Sequence, residues 1–253
     1  MELPDGSTAM VMLGVRPYGS VPLVPLGRET FATGVRWKND WPVVLPVESG
    51  TVSAGPNRYS TTFDGPLDQG WLAVRRDAHE FTTTEGKLVI TADGSSLRDR
   101  QPTFVGRRQT DLAAVITTVV DGSLGTGGLA LRYGENHIFS IDVTATADGN
   151  RVIARAIVSE IEQVWEAVLL PGPVTLMLSS TTPPGAGPDT KGPRSHLSLA
   201  AVAGGIETTL TTVDGRYFTA DVADTFFTGR AVGLYAVSGN VTFTRFDYTS
   251  IDA

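Results

Sequence analysis

"RVIARAIVSEIEQVWEAVLL" (residues 151–170) decides the fold class, because it is the stretch with the best claim to being a helix. Val152, Ile153, Ala156, Ile157, Ile161 and Val164 partly follow the 3.6-residue period of an amphipathic helix. Yet "RVIARAIVSE" and "QVWEAVLL" also alternate, and both are rich in β-branched side chains that suit a pleated surface. The preferred reading is two strands, which leaves the chain without a helix of any length.

Outward from that stretch the pattern repeats. "GKLVITADG", "DLAAVITTVVDG", "GPVTLMLS", "RAVGLYAVSGN" and "VTFTRFDYTS" are short alternating runs ended by turn residues. Asp-Gly follows such runs from Asp5, Asp93, Asp121, Asp148 and Asp214, a dipeptide suited to turns that need positive φ. Strands at this spacing predict an all-β sandwich, barrel or propeller. No repeat of fixed period is present. Residues 48–61, "ESGTVSAGPNRYST", are small, polar and Gly/Pro-bearing, and read as a boundary. Residues 179–195, "SSTTPPGAGPDTKGPRS", read as a projecting loop.

Composition narrows the function classes. A net charge of -7 on 253 residues argues against nucleic acid or an anionic membrane as the main partner, since both need clustered Lys and Arg. The absence of cysteine excludes disulfides, thiolate catalysis and Cys-based zinc sites. No apolar run approaches the ~20 residues of a membrane-spanning helix. "MELPDGSTAM" carries no basic stretch followed by an apolar one, so no signal peptide is visible and a cytoplasmic location is expected.

The landmarks, in order, are "LGRETF" (26–31), "VRWKNDWPVV" (35–44), "FDGPLDQGWLAVRR" (63–76), "FVGRRQTDLAAVITTVVD" (104–121), "FTGRAVGLYA" (227–236) and "FTRFDY" (243–248). This series resembles the C-terminal half of the β-xylosidases of glycoside hydrolase family 43, over essentially the whole chain. The resemblance implies a concanavalin A-like antiparallel β-sandwich (jelly roll) at residues 59–253. A short β-hairpin remnant of a propeller blade and a linker would occupy residues 1–58. In that family an Asp base, a second Asp and a Glu acid on earlier propeller blades cleave the glycosidic bond. None of the acids here maps onto them, so the chain alone is expected to be inactive.

By the same resemblance, Arg28 in "LGRET" points into the sugar pocket, where a guanidinium can bond vicinal hydroxyls. Phe227 closes one wall of that pocket. Glu29 would face away from Arg28, as neighbours on a strand do, and reads as structural. Trp37 and Trp41 flank "ND", which predicts a hairpin, with the rings packed at the domain interface. Trp71 and Trp165 read as sandwich core. His79, His137 and His196 lack metal-ligand spacing.

Asp64 and Asp247 each follow a Phe, near the first and last sandwich strands. They are the candidate pair for a structural calcium, against the favoured alternative of turn capping. No other cofactor is implied.

The expected partners are a catalytic β-propeller domain or chain and a xylose- or arabinose-containing oligosaccharide, and a homo-oligomer is allowed. Three functions compete: an ancillary module of a β-xylosidase or arabinofuranosidase, an independent carbohydrate-binding module, and a structural interaction protein. Where the family commonly has a Tyr-rich, Trp-containing strand pair, residues 195–213 read "SHLSLAAVAGGIETTLTTV", which counts against the second.

Overall fold

A computed structural model describes residues 1–16, 23–47, 56–182, 195–220, 222–223 and 228–251. The first three strands, β1 (Thr8–Val15), β2 (Arg28–Lys38) and β3 (Trp41–Val44), form their own antiparallel sheet in the order β1-β2-β3. The remaining described strands are β4 (Arg58–Thr61), β5 (Leu72–Ala73), β6 (Thr82–Thr84), β7 (Leu88–Thr91), β8 (Phe104–Arg108), β9 (Ala114–Asp121), β10 (Gly125–Arg132), β11 (His137–Thr146), β12 (Gly149–Val158), β13 (Ile161–Leu169), β14 (Val174–Thr181), β15 (His196–Ala203), β16 (Ile206–Asp214) and β17 (Ala231–Ser250). Two short 3-10 turns are the helical elements among the described residues.

These later strands make two antiparallel layers that share β17. Its first half pairs with β10 and β8, and its second half with β9, β7 and β4. One layer therefore runs β13-β12-β11-β10-β17-β8-β5, and the other runs β16-β15-β14-β9-β17 with β4 and β7 beyond. Alternation in each strand sends one set of side chains into the space between the layers. Leu129, Phe139, Ile141 and Leu234 from one layer share a single core with Ile116, Leu176, Leu199 and Phe243 from the other. Residues 151–170 are the strand pair β12–β13, joined through Ser159 at φ 55 and Glu160.

Some expectations change. The end of the presumed boundary, residues 58–61, is strand β4, which pairs with the last strand; residues 48–55 of that stretch lie outside the described residues. So do residues 183–194 of the projecting loop, whose first residues finish β14. Positive φ occurs at Gly6, Gly94 and Gly149 but is not recorded at the other two Asp-Gly positions. At one of those, Asp214 instead accepts from the Arg216 amide and caps a 3-10 turn.

The outer face of the layer containing β10 and β11 is not open. Leu97 packs on Phe104, Ala130, Ile138 and Tyr235. Arg98 donates to Asn136 Oδ1 and Ser159 O, and Thr103 Oγ1 donates to Ala236 O. Asp142 is buried in this face beside Arg155, and it accepts from the Tyr235 hydroxyl at 3.0 Å.

Candidate functional site

The "LGRET" and "FTGR" motifs lie almost 200 residues apart in sequence, and the chain brings them into contact. A Cβ on Gly229 would stand 2.1 Å from Leu26 O, and one on Gly27 would stand 2.4 Å from Gly229 N. Two main chains thus cross without side chains between them, and Gly27 also has φ 69, where a Cβ is strained. Arg230 N donates to Pro25 O at 3.0 Å, and Arg108 Nη2 donates to Leu26 O at 3.0 Å. Val24 is buried with Tyr133, Ala220 and Ala223. This crossing fastens the three-stranded sheet to the sandwich.

Arg230 is a residue the sequence reading passed over, though it stands inside a quoted motif. Its guanidinium is fully buried, and it donates through Nε to Phe218 O at 2.9 Å, Nη2 to Gly215 O at 2.8 Å and Nη1 to Ser180 Oγ at 3.3 Å. Burial pulls its pKa down to about 10. The fixed fork of donors ties the Gly215–Phe218 turn and the end of β14 to one point.

Arg28 is exposed on β2, one residue beyond the crossing. Glu29 turns to the other face and is held by Arg16, with Nε at 2.7 Å and Nη2 at 2.8 Å. Arg16 Nη2 also donates to Thr110 O of the sandwich at 2.8 Å, a second tie between the two parts. Phe227 lies outside the described residues; Thr228 and Gly229, which follow it, pack on Gly27 beside Arg28.

The registers define the face that Arg28 belongs to. Val11 pairs with Ala32, Leu13 with Thr30 and Val15 with Arg28, while Arg36 pairs with Val43 and Lys38 with Trp41. Paired residues share a face, so one surface carries Val11, Leu13, Val15, Arg28, Val43 and Trp41. Leu13 is 62% exposed and Trp41 73%. This corrects the expectation that Trp37 and Trp41 pack at the domain interface: Trp37 is exposed as well, on the opposite face, where its Nε1 donates to Thr8 Oγ1. The hairpin itself forms through Asn39 and Asp40, both at positive φ. Trp71 is buried core, packed at 4.9 Å from Phe246, and Trp165 packs against the core from β13.

Asp64 and Asp247 each hold a local partner. Asp64 accepts from the Thr62 hydroxyl, and Asp247 accepts from Ser60 Oγ at 2.7 Å and from Arg245 Nε at 2.6 Å. Burial would raise the Asp247 pKa, but the Arg245 and Ser60 bonds bring it below the usual carboxylate range. Among the described residues no three His, Asp or Glu converge as metal ligands. A cavity of about 530 Å³ beside the crossing is lined by Arg75, Arg132, Tyr133, Glu135, Thr228 and Gly229.

Fold and open face together define a β-sandwich module with an appended sheet. Residues 60–252 match the family described as the beta xylosidase C-terminal concanavalin A-like domain, and the chain belongs to that family. The xylosidase/arabinosidase 43B of Humicola insolens is 32% identical over 169 residues, covering 60% of this chain and 31% of that protein. Among solved structures, a Bacteroides ovatus xyloglucan PUL GH43B superposes with TM-score 0.80 at 23% identity, covering 99% of this chain and 52% of that one. The GH43 BlXynB protein of Bacillus licheniformis gives 0.79 at 18% identity, with 98% and 52% covered. The chain thus spans about half the length of these structures and about a third of the curated relative.

Proposed function

We propose that this chain is the ancillary module of a family 43 β-xylosidase or α-L-arabinofuranosidase acting on xylan-derived oligosaccharides, and that it works by docking to a catalytic β-propeller on the same or another polypeptide. The observation that carries this is the open face of β1–β3, where five apolar side chains and Arg28 stand in solvent on a sheet that the Gly27–Gly229 crossing holds rigidly to the sandwich. A sheet of three strands is stable when a face is covered, and a neighbouring blade would cover this one. Arg28 would then stand at the seam, close enough to donate hydrogen bonds to a sugar hydroxyl. The acid and base that cleave the bond would come from the propeller.

An independent carbohydrate-binding module is the second reading, and the cavity beside Arg75 and Arg132 is what favours it. The roofed outer face of the β10–β11 layer counts against it. The test uses a nitrophenyl xyloside. The chain alone should not hydrolyse it, and it should raise the activity of a family propeller produced without its own C-terminal half. Leu13→Lys should abolish that gain. Hydrolysis by the chain alone, or calorimetric binding of xylobiose that survives Leu13→Lys and is lost on Arg132→Ala, would overturn the docking role.

A further inference from the structure

Two arginines of the sandwich are buried, and their surroundings differ. Arg230 is saturated, since Nε, Nη1 and Nη2 each donate to an acceptor. Arg132, the last residue of β10, is 8% exposed. It donates through Nε to Leu97 O at 3.0 Å and through Nη2 to Asp99 O at 3.3 Å. Its Nη1 has no partner among the described residues, although a guanidinium carries donors on every nitrogen. Both acceptors are neutral main-chain carbonyls. Glu135, the acid whose charge acts on Arg132, is held instead by Arg75 at 2.5 Å. A buried charge without a counter-ion is costly, and burial pulls the Arg132 pKa down.

Arg132 borders the cavity of about 530 Å³ beside the crossing, and so do Arg75 and Glu135. Arg100 adds a third cation. The Glu135 carboxyl is held below the usual range first by the Arg75 hydrogen bond, and further by the charges of Arg132 and Arg100. Around this wall the balance of charge is positive, in a chain whose net charge is -7. We propose that the cavity binds a sugar acid of single-ring size, a hexuronate, whose carboxylate pairs with Arg132. The space is larger than a bare inorganic anion fills and lies in the range of small-molecule sites. Leu72, Val74 and Ala231 give it an apolar wall for the C–H face of a ring. Asn136, also in the lining, accepts from Arg98 through Oδ1, while its Nδ2 has no partner among the described residues and can donate to a ring hydroxyl. A carboxylate on a guanidinium makes charge-assisted hydrogen bonds, stronger than those of a hydroxyl, so the acid is preferred over a neutral sugar. This inference does not rest on the propeller-docking role, because the cavity wall belongs to the sandwich and not to the β1–β3 sheet.

The test is isothermal titration of the full chain with sodium D-glucuronate, D-xylose and inorganic phosphate at constant ionic strength, with circular dichroism to show that each variant is folded. Glucuronate should bind roughly tenfold or more tighter than xylose, since the neutral sugar leaves Arg132 without a counter-ion. Arg132→Gln should lose roughly tenfold or more of the glucuronate affinity. Glu135→Gln should move it the other way, tightening binding about threefold, because it removes a repelling carboxylate from the wall. The Glu135 side chain is 37% exposed, so this variant decides the matter even where Arg132→Gln fails to fold. The chain is titrated without a propeller, and the outcome therefore bears on the cavity and not on docking. A folded chain that binds no glucuronate overturns the proposal. So does xylose or phosphate binding as tightly as glucuronate, or a glucuronate affinity that Glu135→Gln leaves unchanged or lowers.

Discussion

Asp142 is the least comfortable acid among the described residues. It is buried on the outer face of β11, and burial pushes its pKa up despite the adjacent Arg155 guanidinium and the Tyr235 hydroxyl. A carboxyl whose folded pKa exceeds its unfolded value binds more protons when folded, so its contribution to stability falls as pH rises through that interval. Above the folded pKa the cost is fully present, and below the unfolded value of about 3.9 it vanishes. Asp142→Asn keeps an acceptor for Tyr235 and removes the charge, while Arg155 retains Glu162. The variant should therefore gain stability relative to wild type on going from pH 4 to pH 7. Paired urea melts at both values measure this; a difference that is constant or reversed in sign would refute it. Nothing in "FSIDV" marks Asp142 as special. Alternation places it on the outer face of β11, where an acid ordinarily meets water. That the segment around Leu97 roofs this face is a long-range fact with no local signature.

The elements themselves were largely legible. β12 and β13 could be told from a helix because both halves alternate, and the Asn39–Asp40 turn sits where residues tolerant of positive φ are found. The crossing of "LGRET" and "FTGR" was not legible, since a glycine required by a neighbour's main chain looks like any other glycine. Its energetic weight is open to measurement. Gly229→Ala drives a Cβ into Leu26 O, a backbone atom that cannot swing aside, so a loss of about 1–3 kcal/mol is expected in urea unfolding. Gly65→Ala, where a Cβ meets nothing within 4 Å, should stay within about 0.5 kcal/mol. Amide exchange at Leu26, Gly27 and Arg28 should accelerate in the first variant and not in the second. Equal costs at the two positions would show that the crossing is not a close-packed joint.

At the scale of the molecule, the two sheets are in opposite states. The sandwich buries its apolar side chains between its layers, while the β1–β3 sheet leaves Val11, Leu13, Val15, Val43 and Trp41 in water. Alternation in "AMVMLGV" announces a strand but cannot say which face finds a cover, and so the aromatic-rich hairpin reads as an internal interface when its Trp37 and Trp41 rings are exposed. Full burial of a residue such as Leu or Val contributes about 1.5–3 kcal/mol, so several such residues leave a partner roughly 10 kcal/mol of gross apolar stabilisation before association costs. The same numbers give a test that needs no partner. Val11→Thr with Leu13→Thr puts a β-branched residue that suits a strand at both positions and removes apolar surface. If the face is open, the double variant should unfold within about 0.5 kcal/mol of wild type per site and bind less of a hydrophobic dye such as ANS. If these side chains are instead covered in the isolated chain, truncating them empties a packed interface and should cost at least about 2 kcal/mol in total. The two outcomes are far enough apart for one denaturation curve to separate them, and only the first is compatible with a face held ready for a neighbouring blade.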